Sequence, residues 1–131
     1  MPHLTLEYSA NLRDNGHLRE LCGKLAQCLI AQQADGKAVY PIGGVRVRAL
    51  AAEDYCIADG NPDAAFVHAT LKIGAGRSEA VKKITGDALF EVIKIHFAEV
   101  FLQTGLALSM EINEFSEAGS WKHNNLHARF R

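Results

Sequence analysis

One proline and three arginines hold the residue types from which chemistry could be built. Pro2 follows Met1 directly, and a small residue at that position normally lets the initiator methionine be removed. Pro2 would then carry a free secondary amine on a rigid ring. An α-amino group titrates near about 7.7–8.0, nearby cations lower that value, and a base poised near the working pH suits proton transfer. With methionine retained, the same nitrogen is an amide and is no base. Arg46 and Arg48 lie two residues apart in an alternating segment, which puts both on one face of a strand. Arg77 follows Gly74-Ala75-Gly76 and precedes Ser78, so its guanidinium sits at a predicted helix start, where it could grip a carboxylate through two parallel hydrogen bonds. The plainer alternatives are a Met-Pro start without a chemical role and arginines that only cover a wet surface.

These residues need a scaffold, and the apolar periodicity supplies one. In the first eight residues Leu4, Leu6 and Tyr8 alternate with His3, Thr5 and Glu7, the period-two pattern of a strand that tolerates proline at its first position. After the polar turn Asn11 to Gly16, Leu18, Leu21, Cys22, Leu25 and Leu29 form one stripe and predict a helix over about 17–33, with Asn15 as a candidate cap and Ala34-Asp35-Gly36 as its stop. Pro41-Ile42-Gly43-Gly44 reads as a turn before a strand from Val45 to Leu50. The dense turn signal Asp59 to Asp63 falls near the midpoint of the chain. A strand then runs from Ala65 to Ile73, with Val67, Ala69, Leu71 and Ile73 on one face and Phe66, His68, Thr70 and Lys72 on the other. A long helix follows over about 78–103, capped by Ser78, with a buried stripe of Val81, Ile84, Ala88, Leu89, Val92 and Ile95. Leu106 to Glu114 alternates as the last main strand.

The order strand-helix-strand, turn, strand-helix-strand predicts an α+β fold. One domain is expected, built from two β-α-β units over about 1–58 and 64–116 plus a C-terminal tail. The four strands form a mixed sheet, with right-handed crossovers and both helices on one face. The uncovered face carries Phe66 and other partly apolar side chains, which predicts an oligomer.

Composition narrows the functions. The chain has 131 residues, 48% of them apolar and 22% charged, with a net charge of −1. That balance suits one globular domain and leaves no broad basic footprint for nucleic acid. No apolar run is long enough to span a membrane and no secretory leader is read. Cys22, Cys28 and Cys56 lack metal or redox spacing and read as reduced thiols in a cytoplasmic protein. His68 has no ligand partner at metal spacing, and His123 and His127 lack a third ligand, so no metal site is expected. The glycine turn at Gly74 to Gly76 opens a helix as a phosphate loop does, but without the spacing and lysine of a nucleotide P-loop.

Four segments together are similar to one family. They are Pro2-His3; Pro41-Ile42-Gly43-Gly44-Val45-Arg46-Val47-Arg48; the run from Ala65 to Ser78; and Asn124-Asn125-Leu126-His127-Ala128. They resemble the 5-carboxymethyl-2-hydroxymuconate isomerase family of the tautomerase superfamily, alongside 4-oxalocrotonate tautomerase and macrophage migration inhibitory factor. The run from Phe66 to Ser78 is the most specific part; residues 31–40 and 53–57 match less well. The resemblance implies the tautomerase fold and a homotrimer with pockets near subunit boundaries. It implies a cofactor-free proton shift that converts a dienol acid to its conjugated ketone in homoprotocatechuate degradation. It places the catalytic base on Pro2 and the substrate-binding arginines on Arg46 and Arg77, with Arg48 as a further candidate beside Arg46. A polycarboxylate substrate held by arginines fits that chemistry, since their charge also keeps the amine neutral. Two other readings stay open at this point: a tautomerase of another enol or keto acid, and a non-catalytic module that binds an anionic metabolite.

Overall fold

The computed structural model describes residues 1–130. The chain runs β1 (His3–Ser9), α1 (Leu18–Ile30), β2 (Gln33–Ala34), β3 (Lys37–Ala38), β4 (Arg46–Ala52), β5 (Ala64–Gly74), α2 (Glu79–His96), α3 (Ala98–Gln103) and β6 (Gly105–Phe115). Four strands form one mixed sheet in the order β4-β1-β5-β6. β1 runs parallel to β4, with His3 beside Arg46, and antiparallel to β5, with His3 beside Lys72. β5 and β6 are parallel. The fold is therefore α+β, as the alternation of elements predicts.

Period-two burial assembles the core. Leu4, Leu6 and Tyr8 of β1 and Val67, Ala69, Leu71 and Ile73 of β5 turn to the same side. Leu21, Leu25 and Leu29 of α1 and Leu89 and Ile93 of α2 close over them. Burying one such side chain stabilises by about 1.5–3 kcal/mol, so this layer fixes edge strand β4, which carries Arg46 and Arg48, and central strand β5, which leads to Arg77. No helix among the described residues is long and apolar enough to cross a membrane.

Four local expectations are corrected. α1 ends at Ile30, and the next residues form the small β2–β3 hairpin. Asp35 and Gly36 both take positive φ, 53° and 74°, the geometry of an Asp-Gly hairpin turn rather than of a helix stop. The cap of α1 is His17, at φ 48°, not Asn15. The long second helix breaks at buried Phe97, whose backbone (φ −99°, ψ 15°) separates α2 from α3. The buried stripe of α2 is also rotated: Thr85, Leu89 and Ile93 are buried, whereas Ile84 and Ile95 are 61% and 67% exposed. Thr85 can sit inside because its hydroxyl meets the Tyr40 hydroxyl at 2.9 Å. Ser78 caps α2 as expected, accepting from Val81 N–H at 3.2 Å.

The open face of the sheet is mostly polar. Thr5, Glu7, Arg48, His68, Thr70 and Lys72 line a shallow depression there. His68 bridges Ser109 Oγ (2.7 Å) and Glu111 Oε1 (3.1 Å) on the neighbouring strand. Phe66 packs edge-on against Tyr55, so the expected apolar patch is narrower than the strand pattern implies.

Candidate functional site

The N-terminus lies at the head of β1, between β4 and β5. Pro2 is buried, and its carbonyl accepts from Arg46 N–H at 3.0 Å, continuing the β1–β4 ladder. Met1 is present in this chain, so the amine is the methionine's and the Pro2 nitrogen is a peptide nitrogen. That amine titrates below its ordinary value of 8.0, because of burial first and then of the charges of Arg77, Lys122 and Arg46; Glu117 opposes them. The fold thus brings the start of the chain, Arg46 and Arg77 within electrostatic reach of one another across more than seventy residues.

Two of the arginines are tethered by carbonyls. Arg77 Nη1 donates to Gly74 O and Nη2 to Val39 O, each at 3.2 Å. Its guanidinium stacks over the Tyr40 ring, 4.7 Å from the centroid. Tyr40 is fully buried and anchored through Thr85 of α2. Arg46 Nη1 folds back to Gly43 O (2.8 Å) and Val45 O (3.2 Å). Arg46 and Arg48 share a strand face but not a task in packing: Arg48 is exposed, and its Nη1 lies 3.2 Å from His3 Nδ1.

The C-terminal tail completes the surroundings. It crosses the head of β1, with Asn124 Nδ2 donating to Met1 Sδ at 3.4 Å and His127 packed on Gly43 and Gly44. A Cβ on Gly43 would come within 2.8 Å of His127 backbone atoms, so the two glycines of Pro41-Ile42-Gly43-Gly44 make room for the tail. Between tail and sheet is a cavity of about 250 Å3, lined by Met1, His3, Arg48, Lys72, Trp121 and Lys122 among others. Burial and the charges of Arg48, Arg46, the amino terminus and Lys72 hold the His3 imidazole below its usual range. A wider groove of about 710 Å3 runs between α2 and β6, but its charges are paired, Lys82 with Glu79 and Glu114 and Lys83 with Asp87. Among the described residues no three His, Cys, Asp or Glu side chains converge on a metal-sized site.

Sequence reasoning missed Tyr40, Lys72, Lys122 and Trp121. An aromatic residue directly before the Pro-Ile-Gly-Gly turn was the available signal for Tyr40; nothing in the tail's spacing points to the sheet.

Comparison with known proteins gives three consistent matches. The family model described as 5-carboxymethyl-2-hydroxymuconate isomerase matches residues 2–130. A 5-carboxymethyl-2-hydroxymuconate Delta-isomerase of Escherichia coli is 41% identical over 131 residues, the whole of both chains. The crystal structure of a 5-carboxymethyl-2-hydroxymuconate isomerase from Deinococcus radiodurans R1 is 55% identical, covers 99% of this chain and 94% of its own, and superposes with a TM-score of 0.92. At the level of fold alone, a fused 4-OT wild type symmetric trimer is 15% identical with a TM-score of 0.56, covering 92% of this chain and 93% of its own.

Proposed function

The chain belongs to the 5-carboxymethyl-2-hydroxymuconate isomerase family and has the tautomerase fold, and from that premise we propose that it is a cofactor-independent isomerase of 5-carboxymethyl-2-hydroxymuconate. The reaction removes the proton of the 2-hydroxyl group and adds a proton at carbon 5, turning the dienol into its conjugated 2-oxo isomer. It serves homoprotocatechuate degradation in the cytoplasm. The chain acts as one domain of two β-α-β units, 1–58 and 64–116, assembled as a homotrimer. Light scattering at three times 14.3 kDa supports the trimer, and a monomer mass removes it.

In this reading Pro2 is the base once Met1 has been removed. As a free amine it takes the hydroxyl proton and returns one to carbon. Arg46 and Arg77 bind substrate carboxylates and stabilise the charge that develops on the dienolate, and Arg48 assists. The observation that carries the reading is the placement of the chain terminus at the head of β1 beside Arg46, whose N–H bonds the Pro2 carbonyl at 3.0 Å, where burial and the charges of Arg77, Lys122 and Arg46 lower the terminal amine's pKa. The same cations would favour the neutral form of a Pro2 amine.

The test is ultraviolet loss of the dienol, using protein whose N-terminus has been checked by mass. Fast ketonisation is expected, and Pro2→Ala should lower kcat by about 100-fold or more, within the range for a positioned general base. Absence of turnover by fully processed protein would sink the proposal.

A further inference from the structure

The two tethered arginines leave one charge of the proposed substrate unaccounted for. By its name, 5-carboxymethyl-2-hydroxymuconate carries three carboxylates: two of the muconate chain and one on the carboxymethyl arm. Arg46 and Arg77 can each grip one. A third carboxylate left without a partner beside a half-buried site would be costly to desolvate.

A second group of cations lies against the same terminus. His3 and Lys72 are direct neighbours across β1 and β5, and Arg48 reaches His3 from β4. Lys122 approaches from the tail, close enough to depress the terminal amine. None of Arg48, Lys72 and Lys122 forms an ion pair with a carboxylate among the described residues. Like charges gathered on neighbouring strands destabilise a sheet, and the chain as a whole is slightly acidic, at −1. Glu7 shares the open-face depression with Arg48 and Lys72 but lies within ion-pair distance of neither, so pairing within the chain leaves the charges of the cluster uncompensated. The cavity, partly open to solvent and about 250 Å3 with Met1 in place, is smaller than the roughly 300–1,000 Å3 that takes a whole small molecule, and removal of Met1 would open it toward Pro2. It suits one arm of a ligand whose remainder lies outside. Met1 lines the cavity and its amine also feels Arg46 and Arg77, so the reacting end and the cavity adjoin.

We propose that the cavity between His3, Arg48 and Lys72 on the sheet and Lys122 on the tail is a carboxylate subsite for the carboxymethyl arm, and that Lys122 sets the preference for the three-carboxylate substrate. This rests on the isomerase reading. Lys122 forms a charge-assisted hydrogen bond to that arm; its charge also lowers the terminal amine's pKa, an effect common to both substrates, so the preference between them is what reports the subsite.

The experiment compares kcat/KM for 5-carboxymethyl-2-hydroxymuconate and for 2-hydroxymuconate, which lacks the arm, in wild type, Lys122→Gln, Lys72→Gln and Lys122→Arg. The wild-type preference for the larger substrate is expected to fall about tenfold in Lys122→Gln, chiefly through KM, and to return in Lys122→Arg. A smaller fall is expected in Lys72→Gln. An unchanged preference in both Gln variants, or an equal loss on the two substrates, overturns the subsite. Wild type that turns over neither substrate defeats the isomerase reading, and binding then decides the subsite. Trp121, the chain's single tryptophan, lines the cavity and is 88% exposed, so its fluorescence reports occupancy. A saturable change on adding propane-1,2,3-tricarboxylate that Lys122→Gln abolishes supports the subsite; no saturable change in wild type overturns it.

Discussion

Two sets of cations face the same chain terminus, and the protein holds them in opposite ways. Arg46 and Arg77 are each bonded to two backbone carbonyls, and Arg77 also lies on a buried aromatic ring. Among the described residues Arg48, Lys72 and Lys122 have no carbonyl or carboxylate partner, and Arg48 contacts only the His3 ring. Tethering removes side-chain freedom in advance, so the first pair can meet developing charge without reorganising. The loose set keeps its entropy and adapts to whatever anion enters. A fixed clamp should therefore appear in kcat, and an adaptable one in KM and in substrate preference.

The sharpest way to break this contrast is at Arg77. Arg77→Ala should lower kcat/KM by about 100-fold, roughly the effect of removing one preorganised charge donor. Arg77→Lys keeps the charge but loses the fork and the stacking on Tyr40, and should still cost about tenfold. Lys122→Arg, by contrast, should be tolerated. The pH profile adds a sign. Activity needs the neutral amine, so the rate rises with pH through the amine's pKa, which the burial and the charges that lower the Met1 amine would lower in Pro2 as well. Removing the Arg77 charge raises that pKa and moves the acidic limb to higher pH. An Arg77→Ala limb that stays in place would show that the arginine does not act on the base.

Next in size is the seat of the tail. Gly43→Ala places a methyl group 2.8 Å from His127 backbone. Overpacking of this kind costs about 1–3 kcal/mol, read as a lower Tm. If the tail carries Lys122 to its place, the same variant should also lose part of the preference for the three-carboxylate substrate while Arg77-dependent steps persist. The smallest effect is expected from Tyr40→Phe. The ring under Arg77 remains, but buried Thr85 loses its partner, at about 1 kcal/mol in denaturant unfolding. A large fall in kcat there would mean that the hydroxyl, not the ring, positions Arg77.

Much of the scaffold was legible because burial alternates strictly. Leu4, Leu6 and Tyr8, and Val67, Ala69, Leu71 and Ile73, declare their strands and their inward face from composition alone. The stripe of α2 was misread for a physical reason. Thr85 is polar by type yet buried, because a hydroxyl forty-five residues earlier in the chain satisfies it, and Ile84 and Ile95 lie outside despite being apolar. Asp35-Gly36 carries a hairpin signal, but strands of two residues are too short for a period to show. Pro2, Arg46, Arg48 and Arg77 could be picked out one by one; that Arg46 turns to carbonyls while Arg48 turns to His3 could not.

The sequence by itself determined the succession of the four main strands along the chain, the inward faces of β1 and β5, the cap at Ser78 and the family, since these depend on local periodicity and on residue identity. Tertiary structure alone decided which cations are tethered and which are loose. It also decided that Tyr40 lies beneath Arg77 and that the tail brings Lys122 and Trp121 to the head of β1. Those outcomes depend on contacts between segments far apart in the chain. Such contacts form only when the sheet register and the space left by Gly43 and Gly44 bring the partners within reach.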